Sequence, residues 1–214
     1  MVRLPAFYPI LDTGTAKRQG IGVIAAAAQI LDAGAQILQF RHKGFFSREV
    51  FAELRQVAAL CREARVQFVV NDRADVARLT GAGLHLGQED LLPADARRVV
   101  GDEAMIGFST HNERQLREAL EQPADYLAFG PIFGTSSKEN PDPVVGLDEL
   151  KRLRVLTDRP LVAIGGITRA NARSVLAAGA DSVAVIGDLF QVDGNLRARV
   201  EEWLRVFTPG SAQI

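Results

Sequence analysis

Two carboxylates stand directly behind consecutive apolar segments of this 214-residue chain. Residues 67–70 are followed by Asn71, Asp72 and Arg73, and Asp90 follows residues 83–86 after a short polar link. Short apolar runs rich in β-formers are typical of buried strands, and charged groups at their ends need a partner or a ligand. Neighbouring parallel strands lie about 4.8 Å apart, so both carboxylates can reach one ion. Carboxylate oxygens that leave room for water and phosphate suit Mg²⁺.

Each carboxylate also has an ordinary structural explanation. Asp72 is suited to the N-cap of a following helix, and Asp90 is suited to a turn before Pro93. For either residue alone the structural role is the better interpretation. For the pair, with the amide of Asn71 beside Asp72, we favour a magnesium site.

Three long donors alternate along the second apolar segment. Gln39, Arg41 and Lys43 are two residues apart, so their side chains share one face of a strand. Arg and Lys together are apt ligands for a diphosphate group. The alternative is a solvated strand end in which Arg41 pairs with a carboxylate.

Glycines mark the ends of the last two apolar segments. Gly165 and Gly166 follow residues 162–164, and Gly187 follows residues 183–186. Glycine lets backbone N–H groups approach an oxyanion closely. In barrels of parallel strands, the loops after strands seven and eight commonly bind phosphate. We therefore expect a second, metal-free anion site that fits a monophosphate.

Two polar segments between these sites are further candidates. Residues 130–146 form a long link that is rich in Gly, Pro, Ser and Thr and contains Lys138. Loops longer than about 12 residues are usually functional or disordered, and this one can close over a substrate or be an ordinary surface loop. Ser109 and Thr110 are potential anion donors; His111 is an acid–base candidate or a residue at a helix N-terminus.

Eight short apolar segments alternate with helical patterns. The expected strands are residues 7–11, 37–40, 68–70, 83–86, 105–108, 126–129, 160–164 and 182–186. Their apolar character throughout is typical of parallel strands buried on both faces. Eight βα units predict an α/β fold, a single-domain (β/α)₈ TIM barrel, with a doubly wound open sheet as the alternative. In either fold the polar residues meet at the C-terminal ends of the strands.

Helix signals fill the intervals between these strands. Ser47 is an expected N-cap, Pro93 an expected first-turn residue, and Thr168 the expected N-cap of a helix over residues 171–178. The other expected helices cover residues 23–32, 72–79, 93–100, 113–120, 147–156 and 196–207. Residues 13–20 are expected to be a polar link, and residues 209–214 a frayed tail of the single domain that spans residues 1–214.

Composition narrows the classes of function. The chain is 47% hydrophobic and has a formal net charge of −1, so no overall field favours nucleic acid or a membrane surface. Cys61 is the single cysteine, which fits a reducing compartment. No signal peptide or long apolar span is visible, so we expect a cytoplasmic enzyme acting on small molecules, and a homo-oligomer stays open.

Five motifs occur in an order that resembles one known family. They are Gln39-x-Arg41-x-Lys43, Asn71-Asp72-Arg73, His85-Leu86-Gly87-Gln88-Glu89-Asp90, Gly130-Pro131-Ile132-Phe133-x-Thr135-x-Ser137-Lys138 and Ala163-Ile164-Gly165-Gly166-Ile167. Together they resemble thiamine-phosphate synthase over nearly the whole chain. That family is a (β/α)₈ barrel that joins a hydroxymethylpyrimidine diphosphate to a thiazole phosphate and releases diphosphate.

The resemblance implies a role for each matching residue. The pyrimidine diphosphate would be held by Gln39, Arg41, Lys43, Asn71, Ser109 and Lys138, of which Arg41, Lys43, Ser109 and Lys138 would also be catalytic. Mg²⁺ would be bound by Asp72 and Asp90. The thiazole phosphate would be held by Thr135, Ser137, Gly166, Ile186 and Gly187. The implied reaction is dissociative: diphosphate departs from a pyrimidine methylene cation, which the thiazole nitrogen then captures.

This chain departs from the family pattern near its last strand. The family usually has Ser at the position of Gly187, followed by a small residue, where this chain has Asp188. Backbone donation is retained at Gly187 and the hydroxyl is lost. We expect Asp188 to repel a phosphate unless its carboxylate points away.

Other functions are compatible with the same pattern. A thiazole tautomerase resembling the synthase typically lacks the diphosphate and metal residues and uses a His after strand five, where this chain has His111. A non-catalytic phosphate-ligand sensor and an unrelated phosphate-binding barrel isomerase are the remaining alternatives. The retained cationic and acidic residues favour the synthase.

Overall fold

Eight parallel strands form a closed barrel in which each strand pairs with its neighbours in chain order, and β1 pairs with β8. The computed structural model describes residues 2–135, 142–191 and 195–208. The strands are β1 (Phe7–Asp12), β2 (Ile37–Arg41), β3 (Gln67–Asn71), β4 (Gly83–Leu86), β5 (Ile106–Thr110), β6 (Tyr126–Phe129), β7 (Leu161–Ile164) and β8 (Ser182–Val185). The predicted single-domain (β/α)₈ barrel is confirmed.

Helices follow the strands and form the outer layer. Within the described ranges they are α1 (Thr13–Arg18), α2 (Val23–Asp32), α3 (Arg48–Glu63), α4 (Ala74–Thr80), α5 (Pro93–Val100), α6 (Glu113–Leu120), α7 (Gly146–Arg154), α8 (Ala172–Ala177), α9 (Gly187–Phe190) and α10 (Leu196–Phe207). Ser47 caps α3 by accepting a hydrogen bond from the Val50 N–H at 3.3 Å, and Pro93 begins α5, as predicted. No helix in the described part of the chain is both long and apolar enough to cross a membrane.

Apolar side chains are buried on both faces of the sheet. The main core lies between strands and helices, where Phe7 stacks on Trp203 with ring centroids 5.3 Å apart. A smaller cluster fills the barrel interior and includes Tyr8, Ile37 and Tyr126. Burial on both faces explains why the strands are apolar throughout rather than alternating.

The link predicted over residues 13–20 is wrong, because α1 begins at Thr13. The Asp12 carboxylate accepts hydrogen bonds from the Thr15 N–H at 2.8 Å and the Thr15 hydroxyl at 2.7 Å. This cap satisfies a free N–H at the helix start and stabilises a helix of low apolar content. The short helix α9 was likewise not predicted.

Two predicted helix starts also differ from the structure. Asn171, rather than Thr168, is the N-cap of α8, and its side chain accepts a hydrogen bond from the Thr168 N–H at 2.8 Å. Asp72 does not cap α4, which begins at Ala74 with Arg73 as its N-cap. The Asp72 carboxylate is therefore available for a role other than helix capping. The predicted frayed tail, residues 209–214, lies outside the described residues.

Candidate active site

A cavity of about 610 Å³ opens at the C-terminal ends of the barrel strands. It is lined by the predicted site residues Gln39, Arg41, Lys43, Asn71, Asp72, Asp90, Ser109, Thr135, Gly166, Ile186 and Gly187. The predicted residues Ser137 and Lys138 lie outside the described residues. Residues from seven of the eight βα units thus meet in one place, as the alternation of strands and polar ends predicted.

Asp72 and Asp90 stand on adjoining loops at one side of the cavity. Asp72 adopts a left-handed backbone with φ of 66°, and its carboxylate is 2.7 Å from the Lys43 ammonium. Burial, opposed by Lys43 and reinforced by the neighbouring Asp90, raises the pKa of Asp72. The Asp90 carboxylate accepts a hydrogen bond from the Gly87 N–H at 2.7 Å, so it keeps the predicted turn role as well.

This pair fits a hard divalent cation. Two buried or half-buried carboxylates placed side by side repel each other, and Lys43 offsets only part of that charge. Among the described residues no cluster of three or more His, Cys, Asp or Glu side chains is arranged for a metal. A pair of carboxylates matches Mg²⁺, which keeps several waters and binds substrate phosphates.

Arg41 forms an ion pair with Asp12, which is the alternative that the sequence left open. Although burial opposes it, hydrogen bonds from Thr15 and the Arg41 guanidinium hold the pKa of Asp12 below its usual value. Arg41 also lines the cavity, and its guanidinium has five N–H donors in all. The ion pair therefore orients Arg41 and leaves donors for an anion.

The glycines after β7 are required by both conformation and space. Gly165 and Gly166 have φ values of 98° and 61°. A Cβ on Gly166 would lie 2.4 Å from the Gly134 carbonyl oxygen, and one on Gly165 would lie 2.4 Å from Pro131. The two loops therefore pack backbone against backbone at the side of the cavity that also contains Ile186 and Gly187.

Asp188 does not present an unbalanced charge to this side of the cavity. Its carboxylate lies 3.2 Å from Arg169 Nε and 3.6 Å from an Arg199 guanidinium nitrogen. The side chain is 8% exposed. Two guanidinium groups therefore offset the repulsion that the sequence led us to expect between Asp188 and a phosphate.

His111 is fixed at the cavity wall. Its Nδ1 donates to the Gly130 carbonyl at 2.6 Å, and its Nε2 lies 3.5 Å from the Asp142 carboxylate. The Gln115 side chain accepts a hydrogen bond from the His111 N–H at 2.7 Å. His111 thus ties the end of β5 to both ends of the 130–146 segment.

A chain of buried polar side chains crosses the barrel floor, and the sequence analysis missed three of its members. Tyr8, Tyr126 and His85 are buried and line the cavity beside Gln39 and Ser109. Burial raises the pKa of Tyr8 to about 12 and lowers the pKa of His85 to about 4, so both are neutral at pH 7. Tyr in an apolar strand is an ordinary β-former, so no local pattern distinguishes these residues from core residues.

One buried donor in the cavity has no partner. The Asn71 side-chain nitrogen, on a residue that is 9% exposed, makes no hydrogen bond with any described residue. An unpaired buried donor is costly, and it is expected where a ligand completes the site. This agrees with the predicted binding role of Asn71.

The closed barrel and its polar cavity define a (β/α)₈-barrel protein with its site at the C-terminal strand ends, the face where enzymes of this fold act. The thiamine monophosphate synthase family matches residues 7–189. The chain belongs to this family.

Individual relatives support the same assignment. A thiamine-phosphate synthase of Koribacter versatilis is 48% identical over 209 residues, or 96% of this chain and 97% of the relative. One from Chloroflexus aurantiacus is 38% identical over 187 residues, or 87% and 85%. The solved thiamine phosphate pyrophosphorylase of Pyrococcus furiosus superposes with a TM-score of 0.82, at 32% identity over 94% of each chain.

Proposed function

We propose that this chain joins 4-amino-2-methyl-5-hydroxymethylpyrimidine diphosphate to 4-methyl-5-(2-hydroxyethyl)thiazole phosphate, or to the carboxylated thiazole. The products are thiamine phosphate and diphosphate. The family and the named relatives support thiamine phosphate synthesis and a transferase. The observation that supports the choice of substrates is a single cavity lined both by cationic and acidic residues after β2 to β4 and by the glycines after β7 and β8.

The diphosphate end is formed by β2, β3 and their following residues. The Lys43 ammonium and the Asp72 carboxylate lie 2.7 Å apart there, and Arg41, the last residue of β2, lines the same cavity. The unpaired Asn71 nitrogen supplies a further donor. We assign this end to the pyrimidine diphosphate because cations, an amide and carboxylates for a metal occur together.

The monophosphate end is formed by the glycine loops. Gly166 and Gly187 line the cavity, and glycines at strand ends allow backbone N–H groups to approach an oxyanion closely. Thr135 lines the same cavity. We assign this end to the thiazole phosphate, with Ser137 as a further proposed contact.

The proposed reaction requires charge stabilisation and orientation rather than a protein nucleophile. The bond between the pyrimidine methylene carbon and the diphosphate oxygen breaks, and its electron pair leaves with the diphosphate. Arg41, Lys43 and Lys138 offset the charge that develops on the leaving group, and Ser109 donates a hydrogen bond to it. The thiazole nitrogen lone pair then forms the carbon–nitrogen bond while both substrates are held in line.

Asp72 and Asp90 are the proposed holders of Mg²⁺. When bound, the ion would supply charge neutralisation for the diphosphate group. The ion pair between Lys43 and Asp72 places a cationic side chain beside the residues that would hold the ion.

A thiazole tautomerase is the alternative that one observation favours. His111 donates through Nδ1 to the Gly130 carbonyl and lines the cavity, a geometry suited to proton transfer through Nε2. The retained group of Arg41, Lys43, Asp72 and Asp90 has no use in that reaction. A non-catalytic sensor likewise needs no paired carboxylates.

The test is product formation by purified protein. The pyrimidine diphosphate and the thiazole phosphate are supplied with Mg²⁺ or with EDTA, and thiamine phosphate is followed for wild type and Asp72→Ala. We expect product that requires Mg²⁺ and is lost in the variant. Folded wild type that binds thiazole phosphate but makes no product would refute the synthase and favour the tautomerase or the sensor.

We also propose a cytoplasmic location. The buried single cysteine, Cys61, and the small-molecule substrates support it. Whether copies of the chain associate is left to measurement.

A further inference from the structure

Five polar side chains form a continuous hydrogen-bonded chain across the barrel floor. The Gln39 amide nitrogen lies 3.1 Å from the Tyr8 hydroxyl, which lies 2.9 Å from the Tyr126 hydroxyl. The Tyr126 hydroxyl lies 2.9 Å from His85 Nδ1, and His85 Nε2 lies 2.9 Å from the Ser109 hydroxyl. The chain thus joins β2 to β5 through β1, β6 and β4.

The bond from Gln39 identifies the direction of the chain, and the need of each buried hydroxyl hydrogen for an acceptor maintains that direction. An amide nitrogen can only donate, so the Tyr8 oxygen accepts from Gln39. Tyr8 is 1% exposed, and its own hydrogen finds an acceptor in the Tyr126 oxygen. Any other orientation would leave a buried hydroxyl hydrogen unpaired, which is costly.

The same reasoning extends to the histidine. Tyr126 accepts from Tyr8, so its hydrogen goes to His85 Nδ1, which must carry a lone pair. A neutral imidazole then has its hydrogen on Nε2 and donates it to the Ser109 oxygen. The Ser109 hydrogen is left to point at the cavity.

Gly107 provides the space that this chain needs. In the sheet register Gly107 lies between His85 on β4 and Tyr126 on β6. A Cβ at Gly107 would lie 2.0 Å from Cζ of the Tyr126 ring. The missing side chain therefore lets the Tyr126 hydroxyl pass over β5 and reach His85.

We propose that Gln39, Tyr8, Tyr126 and His85 form a one-way hydrogen-bond relay that fixes His85 as the Nε2–H tautomer. The relay turns the Ser109 hydroxyl into a donor for the diphosphate of the substrate. Tyr8, Tyr126 and His85 are positioning residues that act through Ser109. The role of Ser109 toward diphosphate rests on the proposed function; the tautomer of His85 does not.

A one-way relay suits a leaving group that gains negative charge. A hydroxyl that already accepts a hydrogen bond becomes a stronger donor in a buried network. If the relay ran the other way, Ser109 would donate to His85 and present lone pairs to the anion, which is repulsive. The direction therefore decides whether Ser109 helps or hinders diphosphate binding.

The tautomer is measured on the ligand-free, full-length protein. Long-range proton–nitrogen correlation spectra of nitrogen-15-labelled protein separate the two neutral imidazole tautomers. The chain has three histidines, so His42→Gln and His111→Gln variants assign the His85 signals. We expect the Nε2–H tautomer in wild type at neutral pH. The Nδ1–H tautomer in wild type would overturn the proposal without any variant.

The direction is tested by changing the first residue of the relay. In Gln39→Glu the new carboxylate can only accept, so every bond should reverse and His85 should become the Nδ1–H tautomer. Gln39→Leu is the matched control: it removes the amide without adding an acceptor, and we expect Nε2–H to remain. Ser109→Ala should also keep Nε2–H, because Tyr126 still donates to Nδ1. Retention of Nε2–H in folded Gln39→Glu, or its loss in Ser109→Ala, would contradict the relay.

The effect on Ser109 is tested with inorganic diphosphate as the probe. We expect Ser109→Ala to weaken diphosphate binding by about tenfold, since a hydrogen bond to a charged group is lost. Tyr126→Phe should weaken it several-fold in the wild-type background and not at all in the Ser109→Ala background, because Tyr126 acts through Ser109. Equal losses in both backgrounds would show that Tyr126 has a merely structural role. Turnover, measured separately, tests the proposed function itself.

Discussion

Asp72 combines an unusual backbone conformation with a carboxylate in the candidate metal site. Its left-handed backbone, with φ of 66°, is tolerated by Asp and Asn better than by most residues. Burial and the neighbouring Asp90 disfavour its ionised form in the folded protein and raise its pKa, although the Lys43 ammonium favours that form. A carboxyl group whose pKa is raised by folding lowers the free energy of unfolding at neutral pH, unless a bound ligand offsets this loss.

The substitution Asp72→Asn therefore separates stability from metal binding. The Asn side chain keeps the backbone conformation and removes one of two repelling charges, so the melting temperature without metal should be unchanged or higher. Added Mg²⁺ should raise the melting temperature of wild type and have little effect on that of the variant. Loss of an outer-shell partner weakens metal binding by ~10- to 100-fold, and we expect the loss of the Asp72 carboxylate to weaken Mg²⁺ binding by more than that. A thermal-shift titration measures both. An equal Mg²⁺ response in the two proteins would place the metal elsewhere.

Asp12 gives a pH-dependent prediction with a definite sign. The pKa of Asp12 is lowered in the folded protein and returns to about 3.9 on unfolding. Its stabilising contribution is complete above about 3.9 and is lost as pH falls through the lower folded-state pKa. Asp12→Asn should be less stable than wild type at neutral pH, and the difference should shrink in acid. Urea unfolding over a pH series checks this; a difference that grows in acid would contradict it.

Side-chain alternation along strands allowed part of the candidate site to be predicted from the sequence. Because Gln39 and Arg41 lie two apart on a strand, a shared face follows from the period of the strand. The ion pair of Arg41 with Asp12 joins two different strands. The sequence could therefore suggest that Arg41 pairs with a carboxylate, but it could not identify Asp12 as the partner. The roles of Tyr8 and His85 depend on contacts across the barrel and leave no local pattern.

Among the elements, the loops after β6 and β7 determine where the proposed phosphate-binding end of the cavity lies. The Ile132 N–H donates to the Ile164 carbonyl at 2.9 Å, and the Phe133 N–H donates to the Gly165 carbonyl at 3.0 Å. These bonds hold the loops together, and the glycines make the close approach feasible. The glycine pair was predictable; the loop that packs on it was not, because the contact is between distant segments.

Two glycine substitutions separate conformation from crowding. Gly166 and Gly81 have similar φ values of 61° and 66°, but a Cβ on Gly81 would have no atom within 4 Å. Gly81→Ala should cost about 1 kcal/mol from backbone conformation alone. Gly166→Ala should cost about 1–3 kcal/mol more, because its Cβ meets the Gly134 carbonyl. Urea unfolding measures the free energy of unfolding of both variants. Equal losses would contradict the prediction, because they would show that the loops move to accommodate the added methyl group at Gly166 without cost.

Gly107 gives a second prediction about how elements fit. Gly107→Ala should destabilise the barrel by about 3 kcal/mol, because the added methyl overlaps the Tyr126 ring. Tyr126→Leu removes the overlapping ring atoms, so the double variant should recover part of the loss. We expect the double variant to lose less free energy of unfolding than the sum of the two single losses, as measured by urea unfolding. Simple additivity would mean that the ring moves aside without cost.

Helix α1 marks a limit of local prediction. Residues 13–18 contain little apolar surface, and the helix depends on the Asp12 cap and on packing at the barrel edge. Asp12 lies directly after the first expected strand, residues 7–11, and the structure includes it in β1. One residue therefore ends a strand, caps a helix and pairs with Arg41, and no single pattern predicts all three.

At the scale of the whole molecule, closure of the barrel explains why residues from distant segments share one cavity. Repeated βα units and uniformly apolar strands predicted both the closed barrel and the face that carries the site. The sequence also predicted two anion sites, because cations and glycines are clustered at different strand ends. The residues of the two proposed anion sites line a single cavity because the barrel closes through the pairing of β1 with β8.

Binding measurements decide whether this cavity has two independent anion-binding ends, as we propose. Affinities for inorganic diphosphate with Mg²⁺, and for thiazole phosphate alone, are compared by calorimetry for wild type, Lys43→Ala and Gly166→Ala. Lys43→Ala should weaken diphosphate and leave thiazole phosphate nearly unchanged, and Gly166→Ala should do the reverse. If both variants weakened both ligands equally, the two ligands would share one site and the account would be wrong.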